Sequence, residues 1–162
     1  MTDEGDLKFL KRAVSLSRES LHAGGFPVAA LLVRDNREIS YGLSCTESTH
    51  DVTAHGEVQA IRAAGLQAIA PLTLYSSLEP CLMCLAASAW AGVNRIVFGC
   101  RRGVVNPSYY VNNSTVEASA KLLTCPPLLV MIPNFESEVV ALVREYEGRI
   151  TNGPSGSPVG AR

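Results

Sequence analysis

From Phe26 onward the chain alternates short apolar runs with helical stretches, and this alternation does most to limit what it can fold into. The run "FPVAALLV" is followed by the turn-forming Asp35-Asn36, after which "REISYG" alternates polar and apolar residues. The two read as a hairpin, with the second strand at a sheet edge. Next come "HGEVQAIRAAG", a helix closed by Gly65, and "LTLYSS", a strand. They are followed by "CLMCLAASAWAG", a helix closed by Gly92, and "NRIVFGC", a strand. A loop containing Asn106-Pro107 leads to a helix over "STVEASAKLL", a strand over "LLVMI" and an amphipathic helix over "ESEVVALVREYE". Ahead of all these, Leu7, Leu10, Val14 and Leu21 recur at near-helical spacing from Asp6 to His22, with Gly24-Gly25 closing the helix. The order predicts an α/β protein: a three-layer α/β/α sandwich around a central mixed five-stranded sheet.

Bulk properties fit that reading. A chain of 162 residues suits one domain, able to bury roughly two-thirds of the surface its unfolded form exposes. No repeat or internal linker divides it, so residues 1–150 are expected as a single domain and the Gly/Pro/Ser-rich residues 151–162 as a flexible tail. Hydrophobic residues make up 47% and charged residues 18%, which excludes a disordered or fibrous chain. The net charge of −1 gives no global positive field to hold DNA or tRNA. The N-terminal "MTDEGDLKFLKR" lacks the basic-then-apolar order of a signal peptide, and no apolar run approaches the roughly 20 residues of a membrane span. The expected location is the cytoplasm. Five cysteines at uneven spacing, Cys45, Cys81, Cys84, Cys100 and Cys125, fit metal binding better than a disulfide framework.

Two of the predicted helices begin with chemistry. "EPCLMC" puts Cys81 and Cys84 three residues apart at a helix start, where both thiols face one point and the helix N-terminus favours their thiolates. Alone, the pair also fits a redox dithiol or two small apolar residues on a helix face. His55 and Glu57, in "TAHGEVQAIRAAG", would in isolation read as a cap and a dipole-matching acid. Taken together, H-x-E followed by P-C-x-x-C supplies three zinc ligands, His55, Cys81 and Cys84, with a fourth position open for water and a glutamate that is not a ligand. Three protein ligands make a catalytic count. If His50 were a fourth, the site would be structural. The other cysteines, Cys45, Cys100 and Cys125, read as structural thiols.

With these motifs, the chain resembles the cytidine-deaminase-like superfamily, in the branch of fungal cytosine deaminases, bacterial guanine deaminases and tRNA adenosine deaminases. The resemblance covers about residues 6 to 100, through "GGFPVAALLV", "TAHGEVQAIRAAG", "LTLYSSLEPCLMCLAASAWAGV" and "RIVFGC". It implies zinc on His55, Cys81 and Cys84, with Glu57 taking a proton from the attacking water and delivering protons to a ring nitrogen and to departing ammonia. In that scheme glutamine cannot replace Glu57. The resemblance further implies that the backbone N–H of Gly56 holds a polar edge of the ring, that the carbonyl of Glu79 accepts from the amine, and that the protein is a homodimer.

The substrate markers diverge. Gly56 gives H-G-E, as in fungal cytosine deaminases, whereas Trp90 matches a pocket tryptophan of bacterial guanine deaminases. Trp90 and Phe26 each fit either a pocket wall or the core. Ser44 stands where relatives usually carry an asparagine that bonds the ring or ribose, and "DVT" replaces their Asp-Pro-Thr. Residues 106–114, "NPSYYVNNS", suit a lid over a small flat ring or a surface loop packed by its own tyrosines. Between 105 and 149 only Lys121, Arg144 and Arg149 face five glutamates, Glu117, Glu136, Glu138, Glu145 and Glu147, a poor surface for a polyanion. The expected activity is hydrolytic deamination of a small amino-heterocycle: a free base such as guanine or cytosine, an amino-triazine analogue, or a nucleoside. A tRNA adenosine deaminase is the alternative, and a non-catalytic zinc-stabilised interaction module the third reading.

Overall fold

The computed structural model describes residues 4–65 and 71–151. Its centre is a five-stranded mixed sheet in the order β2-β1-β3-β4-β5. The strands are β1 (Ala29–Arg34), β2 (Arg37–Leu43), β3 (Leu72–Ser76), β4 (Val93–Phe98) and β5 (Leu128–Met131). β1 runs antiparallel to both β2 and β3, while β3, β4 and β5 are parallel. The hairpin forms where expected. Asp35 and Asn36 both take positive φ, 49° and 58°, the left-handed pair that matches a two-residue turn to the twist of its strands. β2 lies at the edge.

Side-chain alternation along the strands divides the core in two. Ala30, Leu32, Leu74, Ile96 and Phe98 face α3 (Gly56–Ala64), α4 (Leu82–Trp90) and the short α5 (Val116–Ala120), joining Ala60, Leu85 and Val116. Ala29, Leu31, Val33, Tyr75 and Val97 face the other way, onto Phe9, Leu10, Ala13 and Leu16 of α1 (Glu4–His22). The last helix, α6 (Glu136–Thr151), adds Val139 to a cluster with Val14, Val28, Leu78 and Cys100. The three-layer expectation therefore holds. α6 runs through Thr151, one residue into the expected tail, and the rest of that tail lies outside the described residues.

Two elements differ from the sequence reading. The helix expected over "STVEASAKLL" lasts only from Val116 to Ala120. Thr115 caps its start by accepting from the Ala118 N–H, but only Val116, Ser119 and Ala120 find cover, and Leu122 beyond it is 84% exposed. A one-turn helix, α2 (Thr46–Thr49), appears where none was expected, held by the Cys45 carbonyl, which accepts from the Thr49 N–H at 3.0 Å and hydroxyl at 2.6 Å.

α3 sits unusually close to the sheet. A Cβ on Gly42 would come 2.3 Å from both the Ala60 nitrogen and the Gly56 carbonyl oxygen, and one on Gly56 would come 2.9 Å from the Ala29 Cα. Both glycines are dictated by close approach.

At the far end of β3 and β4 a buried ion pair fixes α1 to the sheet. Asp6, 4% exposed, accepts two hydrogen bonds from Arg95 at 2.6 Å each and one from the Tyr75 hydroxyl at 2.8 Å. Arg95 holds the Asp6 carboxyl below its usual range, with burial opposing and Tyr75 assisting.

Asp6→Ala should lower the free energy of unfolding by about 3 kcal/mol, because Arg95 and Tyr75 lose their acceptor, measured by urea titration. Because the folded-state pKa of Asp6 is depressed, its contribution is present above the unfolded carboxylate range and is lost as pH falls through the folded value. The gap between wild type and Asp6→Asn should therefore close in acid. Gly42→Ala should cost at least about 2 kcal/mol, since backbone atoms rather than a flexible side chain occupy the space a Cβ needs.

Candidate active site

His55 and Cys81 are the N-cap residues of α3 and α4, and neither helix start carries a side-chain cap. Two positive helix ends therefore converge beyond the last residues of β3 and β4, where sites in α/β sheets form. His55 Nδ1 lies 3.6 Å from Cys81 Sγ and 3.5 Å from Cys84 Sγ, and the two sulfurs are 3.5 Å apart. A tetrahedral zinc ion with bonds of about 2.3 Å to sulfur and about 2.0 Å to nitrogen needs donors roughly 3.5–3.8 Å apart, so this near-equilateral triangle fits the metal. Among the described residues these three form the only such His, Cys and carboxylate group. His50 does not join it: it is exposed, with a left-handed backbone (φ 52°) at the end of α2.

The donors are electrostatically prepared. The Cys81 thiol is brought down to about 4, first by a hydrogen bond from the Cys84 thiol and then, against burial, by His55. Burial pulls the His55 pKa down, but Cys81, Glu57 and Asp51 outweigh it and the net shift is upward.

Glu57 occupies the first turn of α3, only 3% exposed, with Oε2 3.4 Å from Cys84 Sγ. The Ser76 hydroxyl lies 3.2 Å from Glu57 Oε1 and 2.8 Å from the Leu78 carbonyl, so its single proton serves one of them at a time. Burial first, and then the negative charge of Cys81, push the Glu57 carboxyl up. A carboxyl with that bias holds a proton more readily than a surface one.

The turn ahead of His55 is set by a side chain. Asp51 Oδ1 accepts from the Thr53 N–H at 2.8 Å and the Thr53 hydroxyl at 2.6 Å, while Arg62 reaches Asp51 Oδ2 at 3.2 Å and Thr53 Oγ1 at 3.3 Å. This network stands where the sequence has valine in place of proline.

The remaining candidates separate. Ser44 is buried at the end of β2; its N–H donates to Val28 at 2.9 Å and its carbonyl accepts from the Ser20 hydroxyl at 2.8 Å. Gly56 is the first residue of α3, so its N–H has no acceptor within the helix. The Phe26 ring packs against Tyr109 (centroids 4.5 Å apart) and edge-on to Tyr146 (5.3 Å). Trp90 is 93% exposed and so lies outside the core. Six residues at about 100° each carry it some 240° around α4 from Cys84. Cys125 is exposed, whereas Cys100 is buried, its thiol pushed up to about 12 by burial.

Glu79 does more than sequence reasoning assigned it. Its carbonyl accepts from the Tyr110 hydroxyl at 2.8 Å, and its carboxylate accepts from the N–H groups of Arg102 at 3.1 Å and Val116 at 3.0 Å. Only the third dimension shows this. Ser76 was missed for the same reason.

Residues 3–100 match the cytidine and deoxycytidylate deaminase zinc-binding region. The chain is similar to a probable cytosine deaminase of Schizosaccharomyces pombe, 30% identical over 78% of this chain and 74% of that one. It is also similar to the guanine deaminase of Bacillus subtilis, 46% identical over 51% of this chain and 56% of that enzyme. To a tRNA-specific adenosine deaminase of Buchnera aphidicola it is 37% identical over 60% of this chain and 63% of that one. The solved guanine deaminase of Nitrosomonas europaea shares the fold, with a TM-score of 0.76 at 22% identity, covering 92% of this chain and 87% of that one.

The purified chain should carry about one zinc ion. Cys84→Ser should lose it while circular dichroism still reports a folded protein, with metal content read by plasma mass spectrometry.

Proposed function

The chain belongs to the cytidine and deoxycytidylate deaminase zinc-binding family, and we propose that it is a hydrolytic deaminase of a small amino-heterocycle: a free base such as guanine or cytosine, an amino-triazine analogue, or a nucleoside. One observation carries the reading: a buried Glu57 touches one corner of a three-donor triangle and is not itself a donor in it. His55, Cys81 and Cys84 would hold zinc. When bound, zinc supplies the Lewis acidity that makes water nucleophilic near neutral pH.

The rest of the chemistry falls to the chain. Glu57 takes a proton from water as its oxygen adds to the ring carbon bearing the exocyclic amine. It then passes protons to a ring nitrogen and to the amine; the C–N bond breaks, ammonia leaves and the ring keeps an oxo group. Ser76, beside Glu57 Oε1, positions the carboxyl for both transfers. The Gly56 N–H and the Glu79 carbonyl face the ring as acceptor-seeking and donor-seeking groups, and Ser44 and Phe26 complete the pocket.

Relatives that act on tRNA make a tRNA substrate the second reading. Against it stands the use to which nearby cations are put. Arg101 pairs with Glu117, Arg149 with Glu145 and the Leu21 carbonyl, and Arg102 with Asn112 and Ser114, leaving these groups engaged inside the chain. A homodimer belongs to the same proposal, with exposed Leu82 and Trp90 on α4 as apolar surface for a second copy. So does a cytoplasmic location; no helix among the described residues is long and apolar enough to cross a membrane.

Glu57→Gln keeps the side-chain volume but cannot carry the proton. Ammonia release from a panel of bases, nucleosides, amino-triazines and tRNA should fall by about a thousandfold or more on whichever substrate the wild type turns over, with zinc retained. A variant at full turnover would overturn the mechanism, and turnover confined to tRNA would replace the small-ring substrate.

A further inference from the structure

We propose that Tyr110 is a specificity-determining residue whose hydroxyl competes with the exocyclic amine of the substrate for the main-chain carbonyl of Glu79. The inference rests on the deaminase reading above, which gives that carbonyl to the amine. In this structure the carbonyl already has a donor, Tyr110 at 2.8 Å, and on this proposal the hydroxyl holds the lone pair that the amine would use. Glu79 is joined through Pro80 to Cys81, so the hydroxyl reaches the edge of the metal site itself. Burial first, and then the charges of Glu79, Glu57 and Cys81, push the Tyr110 hydroxyl well above its usual range, which keeps it a donor.

Tyr110 is held there by design of the segment that carries it. The Arg102 guanidinium lies over its ring, 4.1 Å from the centroid. The same guanidinium donates to Asn112 Oδ1 at 3.1 Å, to the Ser114 carbonyl at 2.6 Å and to the Asn112 carbonyl. Tyr109, the neighbouring residue, donates to Glu147 of α6 at 3.0 Å and packs at a tilt against Phe26. Residues 106–114 thus form a strap that reaches the turn before Cys81 through the Glu79 carbonyl, tied to α6 by Tyr109 and to Arg102 by Tyr110 and Asn112.

The chemistry of the exchange selects a substrate over its product. A ring amine is a donor, so on entering it replaces the hydrogen bond that Tyr110 gives up, and no buried carbonyl is left unpaired. An oxo group at the same position is an acceptor. After turnover two acceptors face each other, and the returning tyrosine hydroxyl restores the pairing as the product leaves. Amine-bearing rings therefore meet the cost of opening the strap, while oxo rings do not.

Tyr110→Phe tests this, because it keeps the ring and its Arg102 contact and removes only the donor. In the zinc-loaded protein without ligand, backbone hydrogen exchange over residues 108–112 should speed up by about fivefold, the worth of one such hydrogen bond. By calorimetry, the Kd of whichever amine-bearing ring binds, tried as guanine, cytosine and 8-azaguanine, should fall by about the same factor. Equal exchange rates, or a Kd that stays level or rises, overturn the proposal. If none of these rings binds either protein, the small-ring substrate fails by itself, and the exchange rates still decide whether the hydroxyl latches the strap.

Discussion

The N-terminus of α3 rests on the bare backbone of β1 and β2, and the geometry of the site is measured from that contact. Gly42 and Gly56 leave no side chain between helix and sheet, so the first turn of α3 is located by backbone against backbone. His55 and Glu57 flank Gly56 on either side. The proposed zinc ligand and proton carrier thus inherit the stiffness of the sheet rather than the freedom of a loop, which is what a site with sub-ångström tolerances requires. Glycine at position 56, which the sequence alone left as a hint about substrate, has a packing reason in this chain.

The other half of the site hangs on Glu79. Its carboxylate accepts from the N–H groups of Arg102, ahead of the strap, and of Val116 at the start of α5, while its carbonyl meets Tyr110 and the residues after it enter α4 with Cys81 and Cys84, the proposed zinc ligands. One buried residue therefore ties the covering segment to the metal-binding turn. The desolvation cost of that carboxylate is offset by two backbone donors that would otherwise be unsatisfied themselves.

Much of this was legible in the sequence because it is local. His55, Glu57, Cys81 and Cys84 declare themselves by spacing at the starts of two helices, and the strands by alternation and by the Asp35-Asn36 turn. The features that escaped are those settled by distant parts of the chain. Ser76 meets Glu57 only because β3 ends beside α3, and Tyr110 meets Glu79 only because the chain after β4 doubles back. Helix α5 stops early for want of a partner for Leu122, a matter of burial that periodicity does not record. Trp90 shows a further limit: an apolar helix position fixes the distance along the helix but not whether the indole is covered by its own chain.

Trp90 is the sole tryptophan, and it stands almost wholly in solvent at the end of α4. Most proteins report unfolding through an indole that passes from a dry interior to water. Here that passage has nearly no distance to travel, so intrinsic tryptophan emission from an isolated chain would be almost silent on unfolding. The same placement makes the indole sensitive to whatever comes to rest against α4, a native optical sensor of contact rather than of folding.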